Sequence, residues 1–177
     1  VIGKIKTIAQ MLALLCLLYS VVPGRKPAPW PGDFIFHIGH CGSTLLSRLL
    51  DQAPTVLGLR EPLALRELAN SEHELDSPVA RISASQWQAL FAASLSLLNR
   101  GFSPAQRVIV KATSSCNNLI AHLLASSAEA HVLLLHIPLE SYLATMAKAP
   151  GGGLDALHCA PARLRFLHKQ LGEETPR

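Results

Sequence analysis

Apolar positions in this chain come in short clusters with two spacings. Phe34, Ile35, Phe36 and Ile38 form a compact run that suits a buried strand, and Leu45, Leu46, Leu49 and Leu50 recur at i, i+1, i+4 and i+5, the spacing of one helix face. Between them Gly39-His-Cys-Gly-Ser-Thr44 predicts a tight turn. Thr55 to Leu59 predicts a second strand, closed by Arg60-Glu61-Pro62, with a helix from Leu63 to Ala69 and a polar loop from Asn70 to Pro78. Residues 86–99 carry Trp87, Leu90, Phe91, Leu95 and Leu98 on a helical face and stop at Arg100-Gly101. A strand over Arg107 to Ala112, a helix over Asn117 to Ala125 and a strongly apolar strand over His131 to Ile137 complete the series. Strands alternating with helices predict an α/β fold, a three-layer α/β/α arrangement whose central parallel sheet is covered on both faces. Such sheets bind ligands where the carboxyl ends of their strands converge.

The ends read differently. Residues 1–32 hold Lys4 and Lys6, an apolar run from Met11 to Val22 broken only by Ser20, and a Pro-rich linker from Pro27 to Gly32. The run is shorter than the roughly 18 residues of a confident membrane span. A helix packed on the domain or on a partner, a signal peptide and a membrane anchor over residues 8–22 all stay open. The remainder, residues 33–177, reads as one domain, with Gly151 to Gly153 as a surface linker or a lid and Pro161 to Leu171 as a final helix.

Composition narrows the partners. With 49% hydrophobic and 16% charged residues the chain is globular, and aromatic residues at 5% give little for stacking on nucleic-acid bases. The net charge of +4 comes from scattered Lys and Arg, which suits a small anion and predicts no nucleic-acid partner. Cys16, Cys41, Cys116 and Cys159 have no metal or C-x-x-C spacing, so they read as free thiols in a reducing compartment, hence a cytoplasmic protein, with membrane association as the variant. Asp155, His158 and Cys159 lack ligand spacing, and no metal is expected. A phosphatase loop built on Cys41 would need Arg at position 47, which is Ser47; Arg48 stands one place late.

The turn after the first strand is the main chemical signal. Gly39 and Gly42 permit a tight backbone, and the amides of His40 to Thr44 would meet an anion at the helix N-terminus, with Ser43 and Thr44 adding hydroxyl donors. A Walker A loop is G-x-x-x-x-G-K-[ST], and this turn has no lysine. An ordinary ATPase or GTPase is therefore disfavoured.

His40-Cys-Gly-Ser-Thr-Leu45 resembles the phosphosulfate loop of the sulfotransferase family, a basic residue, a small residue, Gly and two Ser/Thr. The resemblance spans roughly residues 33 to 148. It implies a P-loop nucleoside-triphosphate-hydrolase-like fold, 3′-phosphoadenosine 5′-phosphosulfate as co-substrate, and sulfuryl transfer to a hydroxyl or amine acceptor. On it, Gly39, His40, Cys41, Gly42, Ser43, Thr44 and Leu45 hold the donor. Glu61, which ends a stretch similar to that of Golgi and bacterial sulfotransferases, is the general base, and Lys111 stabilises the transferred group. It also implies a 3′-phosphate signature of Arg, Pro or Gly, and Ser; here His136 replaces the Arg, Pro138 is kept and Ala144 replaces the Ser, with Ser141 or Thr145 as the hydroxyl. His40 similarly stands where the family carries Lys or Arg. At 177 residues, beginning with Val1, the chain is short for such an enzyme, so missing C-terminal elements are expected.

Bland readings stand beside these. Glu61 could pair with Arg60 or Arg66 or cap the following helix. Lys111 could snorkel to solvent from its strand end. His37, between Phe36 and Ile38, reads as a buried structural residue, His136 could be a core histidine bonded to a carbonyl, and Thr113, Ser114 and Ser115 could cap a helix. The substituted anchors leave three outcomes: imidazolium groups bind the phosphates, the donor is a different anion, or donor binding is lost. A P-loop kinase-like phosphotransferase and a noncatalytic nucleotide-binding or membrane-associated domain are the other functional readings.

Overall fold

The computed structural model describes residues 32–78, 80–103, 105–127 and 129–148, and beyond these residues 160, 164, 167, 168 and 172. The apolar N-terminal run, most of the Pro-rich linker and the glycine run lie outside the described residues. Of the expected last helix, Leu164, Leu167 and His168 are described, and all three are helical. Two units make up the chain, Val1–His136 and Ile137–Arg177.

In the first unit the alternating pattern folds as a four-stranded sheet. Its strands are β1 (Asp33–His37), β2 (Val56–Arg60), β3 (Arg107–Lys111) and β4 (Val132–Leu135), in spatial order β2-β3-β1-β4. Every pairing is parallel. The helices are α1 (Ser43–Leu50), α2 (Leu63–Glu72), α3 (Ala84–Leu98) and α4 (Leu119–Ser126), with a short 3₁₀ turn at Ser114–Cys116. In the second unit α5 covers Leu139–Lys148.

Register assigns the two sheet faces. Phe34 lies opposite Val110 and Val132, and Leu59 opposite Val110, so these side chains share a face. That face packs on Leu65, Leu68 and Ala69 of α2, Trp87, Phe91, Leu95 and Leu98 of α3, and Leu119 and Leu123 of α4, which together form the core. Trp87 is fully buried, stacks on Phe91 at 5.0 Å between ring centroids and donates its indole N–H to Leu68 O at 2.9 Å. Ser83 starts α3 with a capping box: its hydroxyl accepts from Gln86 N–H, and the Gln86 side chain accepts from Ser83 N–H.

The opposite face carries Ile35, Lys111 and Arg60, again in register. Here α1 packs through Ser43 and Ser47, its buried residues, with Leu46 and Leu50 half-buried beside them. Half of the expected apolar stripe turns away from the sheet: Leu45 is 62% and Leu49 61% exposed. Short serines let the helix approach a face that already holds long Lys111 and Arg60 side chains, and Ser47 Oγ accepts from Arg60 Nε at 3.2 Å. At its far end Asp51 accepts from Gly58 N–H at 2.7 Å, and a Cβ on Gly58 would lie 2.9 Å from that carboxylate. Helices therefore flank both faces of an all-parallel sheet, as a three-layer α/β/α arrangement requires.

At the amino ends of the strands, Asp33 accepts from the Arg107 guanidinium and pairs with His131 Nδ1 at 3.0 Å, which joins β1, β3 and β4. Among the described residues β4 is an edge strand, and it departs from the expectation of a strand covered on both faces: Leu133 and Leu134 are each about half exposed.

Candidate functional site

The carboxyl end of β1 leads straight into the glycine turn. Ile38 N–H donates to Leu135 O at 3.3 Å, and the chain then takes left-handed backbone angles at Gly39 (φ 93°), His40 (φ 51°) and Gly42 (φ 83°). No atom lies within 4 Å of a Cβ built on Gly42, so its backbone angle, and not crowding, is what calls for glycine. Gly42 is also the N-cap of α1, and neither a side-chain cap nor a first-turn acid occupies that end. The first intrahelical bond runs from Leu46 N–H to Gly42 O at 3.0 Å, which leaves the amides of Ser43, Thr44 and Leu45 ahead of the helical ladder. Unpaired amides after a left-handed turn at a helix N-terminus are the arrangement that suits an anion. Thr44 and His40 are exposed, Gly39 and Cys41 half-buried, and Ser43 buried.

Side chains brace this turn from below. His37 is buried; its Nε2 is 2.9 Å from Ala112 O, and its Nδ1 accepts from Gly39 N–H at 3.0 Å. Asn117 Nδ2 donates to His37 O at 3.2 Å, and Cys41 Sγ lies 3.6 Å from Leu135 O. Burial, followed by the Lys111 charge, holds the His37 imidazole below its ordinary pKa. His37 is buried, as its neighbours in the strand imply. Its bond to Ala112 O, and that of Asn117 to the His37 carbonyl, were not legible from the sequence, because they join positions 75 and 80 apart.

Lys111 and Glu61 come together beside the turn. Lys111 ends β3, the strand between β1 and β2, and lies on the face that α1 covers. Its ammonium donates to the Glu61 carboxylate, and Glu61 N–H donates to Lys111 O at 2.6 Å. Lys111 is 2% exposed, so it does not snorkel, whereas the Glu61 side chain is 49% exposed. Glu61 forms its ion pair with Lys111 and not with Arg60, which pairs with Asp51, or with Arg66, and Pro62 is the N-cap residue of α2 with no side-chain cap bond. Glu61 holds a left-handed φ of 52°, the second such non-glycine residue besides His40 among the described residues. Strain of this kind gathers where a side chain must be aimed. Lys111, Glu61 and His40 all act on the His37 imidazole electrostatically, which places the four groups within one field.

The remaining candidates separate. His136 is exposed and follows Leu135, whose carbonyl meets the turn, so it stands at the same sheet edge. Ser141 and Thr145 lie on α5 in the second unit, and the Thr145 hydroxyl donates to Ser141 O at 2.8 Å within that helix. Thr113, Ser114 and Ser115 do not cap α4: Thr113 Oγ1 meets Ser115 Oγ at 2.7 Å and Cys116 Sγ at 3.2 Å in the 3₁₀ turn. Cys41 and Cys116 are free thiols, and the described residues contain no His/Cys/Asp/Glu group arranged for a metal. No described helix is long and apolar enough to cross a membrane.

Comparison with family models, curated proteins and solved structures found no match for this chain. The functional reading therefore rests on the site itself.

Proposed function

We propose that the chain is a sulfotransferase-like P-loop protein that transfers a sulfuryl group from 3′-phosphoadenosine 5′-phosphosulfate to a hydroxyl or amine acceptor. The observation that carries this reading is the pairing of buried Lys111 with half-exposed Glu61 beside an anion-binding turn that has no lysine of its own. The amides of Ser43, Thr44 and Leu45, with the hydroxyl of Thr44, bind the phosphosulfate. Glu61, paired with Lys111, accepts the acceptor's proton through its solvent-facing side as the acceptor oxygen or nitrogen bonds to sulfur. The sulfur–oxygen bond to the phosphate breaks, and Lys111 offsets the charge that gathers on the departing oxygen. His40 and His136, both exposed, meet the remaining phosphate charge at the rim.

The test is turnover: phosphosulfate donor is incubated with the protein and a panel of alcohols, phenols and amines, and release of 3′-phosphoadenosine 5′-phosphate is followed. Acceptor-dependent release that Glu61→Gln abolishes supports the reading. Binding of the bisphosphate with no release for any acceptor, unchanged by Glu61→Gln, supports a noncatalytic domain.

A further inference from the structure

We infer that His37 is the positioning residue of the anion-binding turn: in its neutral Nε2–H form it clamps the Gly39 amide to the end of β3. This rests on the reading of the turn as the donor site, and it goes beyond that reading by adding a residue that acts through the backbone. The tautomer follows from the partners alone. Ala112 O can only accept, so Nε2 carries the hydrogen; Gly39 N–H can only donate, so Nδ1 must be bare. The imidazole thereby links β3 to the first residue of the turn, while Asn117 anchors His37 through its carbonyl. The Gly39 amide is thus tied to the imidazole, at the start of the left-handed turn that leads through His40 and Gly42 into α1.

A proton on Nδ1 removes the acceptor, and the Gly39 N–H then faces an N–H donor. The charged groups acting on the ring are Lys111 from β3 and His40 from the turn, which oppose that proton, and Glu61 after β2, which favours it. Acid should therefore release the turn and weaken donor binding.

Two substitutions separate the two bonds of the ring. In His37→Asn the side-chain oxygen lies where Nδ1 was and can accept from Gly39; in His37→Gln the amide nitrogen can reach Ala112 O but leaves Gly39 N–H without its acceptor. Each variant keeps one bond, so a merely structural histidine would tolerate them alike. Gly39 amide exchange and His37 ring-nitrogen shifts are read by NMR without ligand, and affinity for 3′-phosphoadenosine 5′-phosphate by calorimetry. The expected result is an Nε2–H ring, a protected Gly39 amide in wild type and His37→Asn, and an exposed amide with about tenfold weaker binding in His37→Gln. An Nδ1–H ring, or equal Gly39 protection in both variants, overturns the role of His37 whether or not the bisphosphate binds. If wild type binds no bisphosphate while the amide pattern holds, the donor assignment fails and the clamp on the turn stands.

Discussion

The ammonium of Lys111 is sealed from solvent on one side of its ion pair, while the Glu61 carboxylate that receives it is half open to water. The pair is unequal, and the two partners should respond differently to removal. Without Glu61 the lysine charge stays buried and unpaired; without Lys111 the carboxylate can turn to water.

Lys111→Met should therefore fold within about 1 kcal/mol of wild type, because an apolar chain of similar length fills the same space. Glu61→Gln should lose about 2–3 kcal/mol, since it strands a buried charge. Urea denaturation measures both. Equal losses would show that the burial asymmetry carries no energetic weight. Both variants should lose sulfuryl transfer, so stability and activity part company at Lys111.

Gly42 and Gly58 test two different reasons for glycine. Gly42→Ala forces a left-handed angle on a residue with a side chain and should cost about 1–2 kcal/mol, with weaker anion binding because the turn shifts. Gly58→Ala drives a methyl group against Asp51 and should cost about 1–3 kcal/mol by lifting α1 from β2. Its effect on binding should be the smaller of the two. A reversed order in calorimetry would separate the turn from the binding site.

His37 gives stability a pH dependence of known sign. Its folded pKa lies below the ordinary 6.5, so the unfolded chain takes the proton more readily than the native one. Its contribution is complete above pH 6.5 and is lost as the pH falls through the lowered folded value. The slope that it adds cannot exceed about 1.4 kcal/mol per pH unit. Denaturation curves between pH 7 and pH 5 should show this slope in wild type and not in His37→Asn; an identical slope in both would assign it to other groups.

The two described thiols should differ. Cys116 is fully buried, and burial raises its pKa, so an alkylating reagent at pH 8 should leave it intact until urea is added. Cys41, half-buried in the turn, should react in the native protein and be shielded by 3′-phosphoadenosine 5′-phosphate. Mass spectrometry of labelled peptides reads both. Labelling of Cys41 that is indifferent to a bound bisphosphate would put the ligand elsewhere.

The sheet was largely legible because parallel strands buried on both sides announce themselves as apolar runs, as Phe34 to Phe36 and Val108 to Val110 do. The glycine turn was legible through its composition. Spacing misled in part at α1, where Leu45 and Leu49 face outward and Ser43 and Ser47 face the sheet, because the space under the helix is already filled by Lys111 and Arg60. The partner of Glu61 was hidden for another reason. Its pairing with Lys111 joins positions 50 apart and depends on β2 and β3 being neighbours, which local pattern does not encode. His37 shows the same limit: its burial could be read from its strand, but Ala112 is 75 positions away.

Calorimetric titration with 3′-phosphoadenosine 5′-phosphate at pH 6 and pH 8, beside ATP with magnesium, tests the donor site most directly. Saturable binding of the bisphosphate, weakened by Gly42→Ala and absent for ATP with magnesium, is the result this account expects. A folded protein that binds no bisphosphate at either pH contradicts it, and binding of ATP with magnesium in its place would point to a kinase-like phosphotransferase.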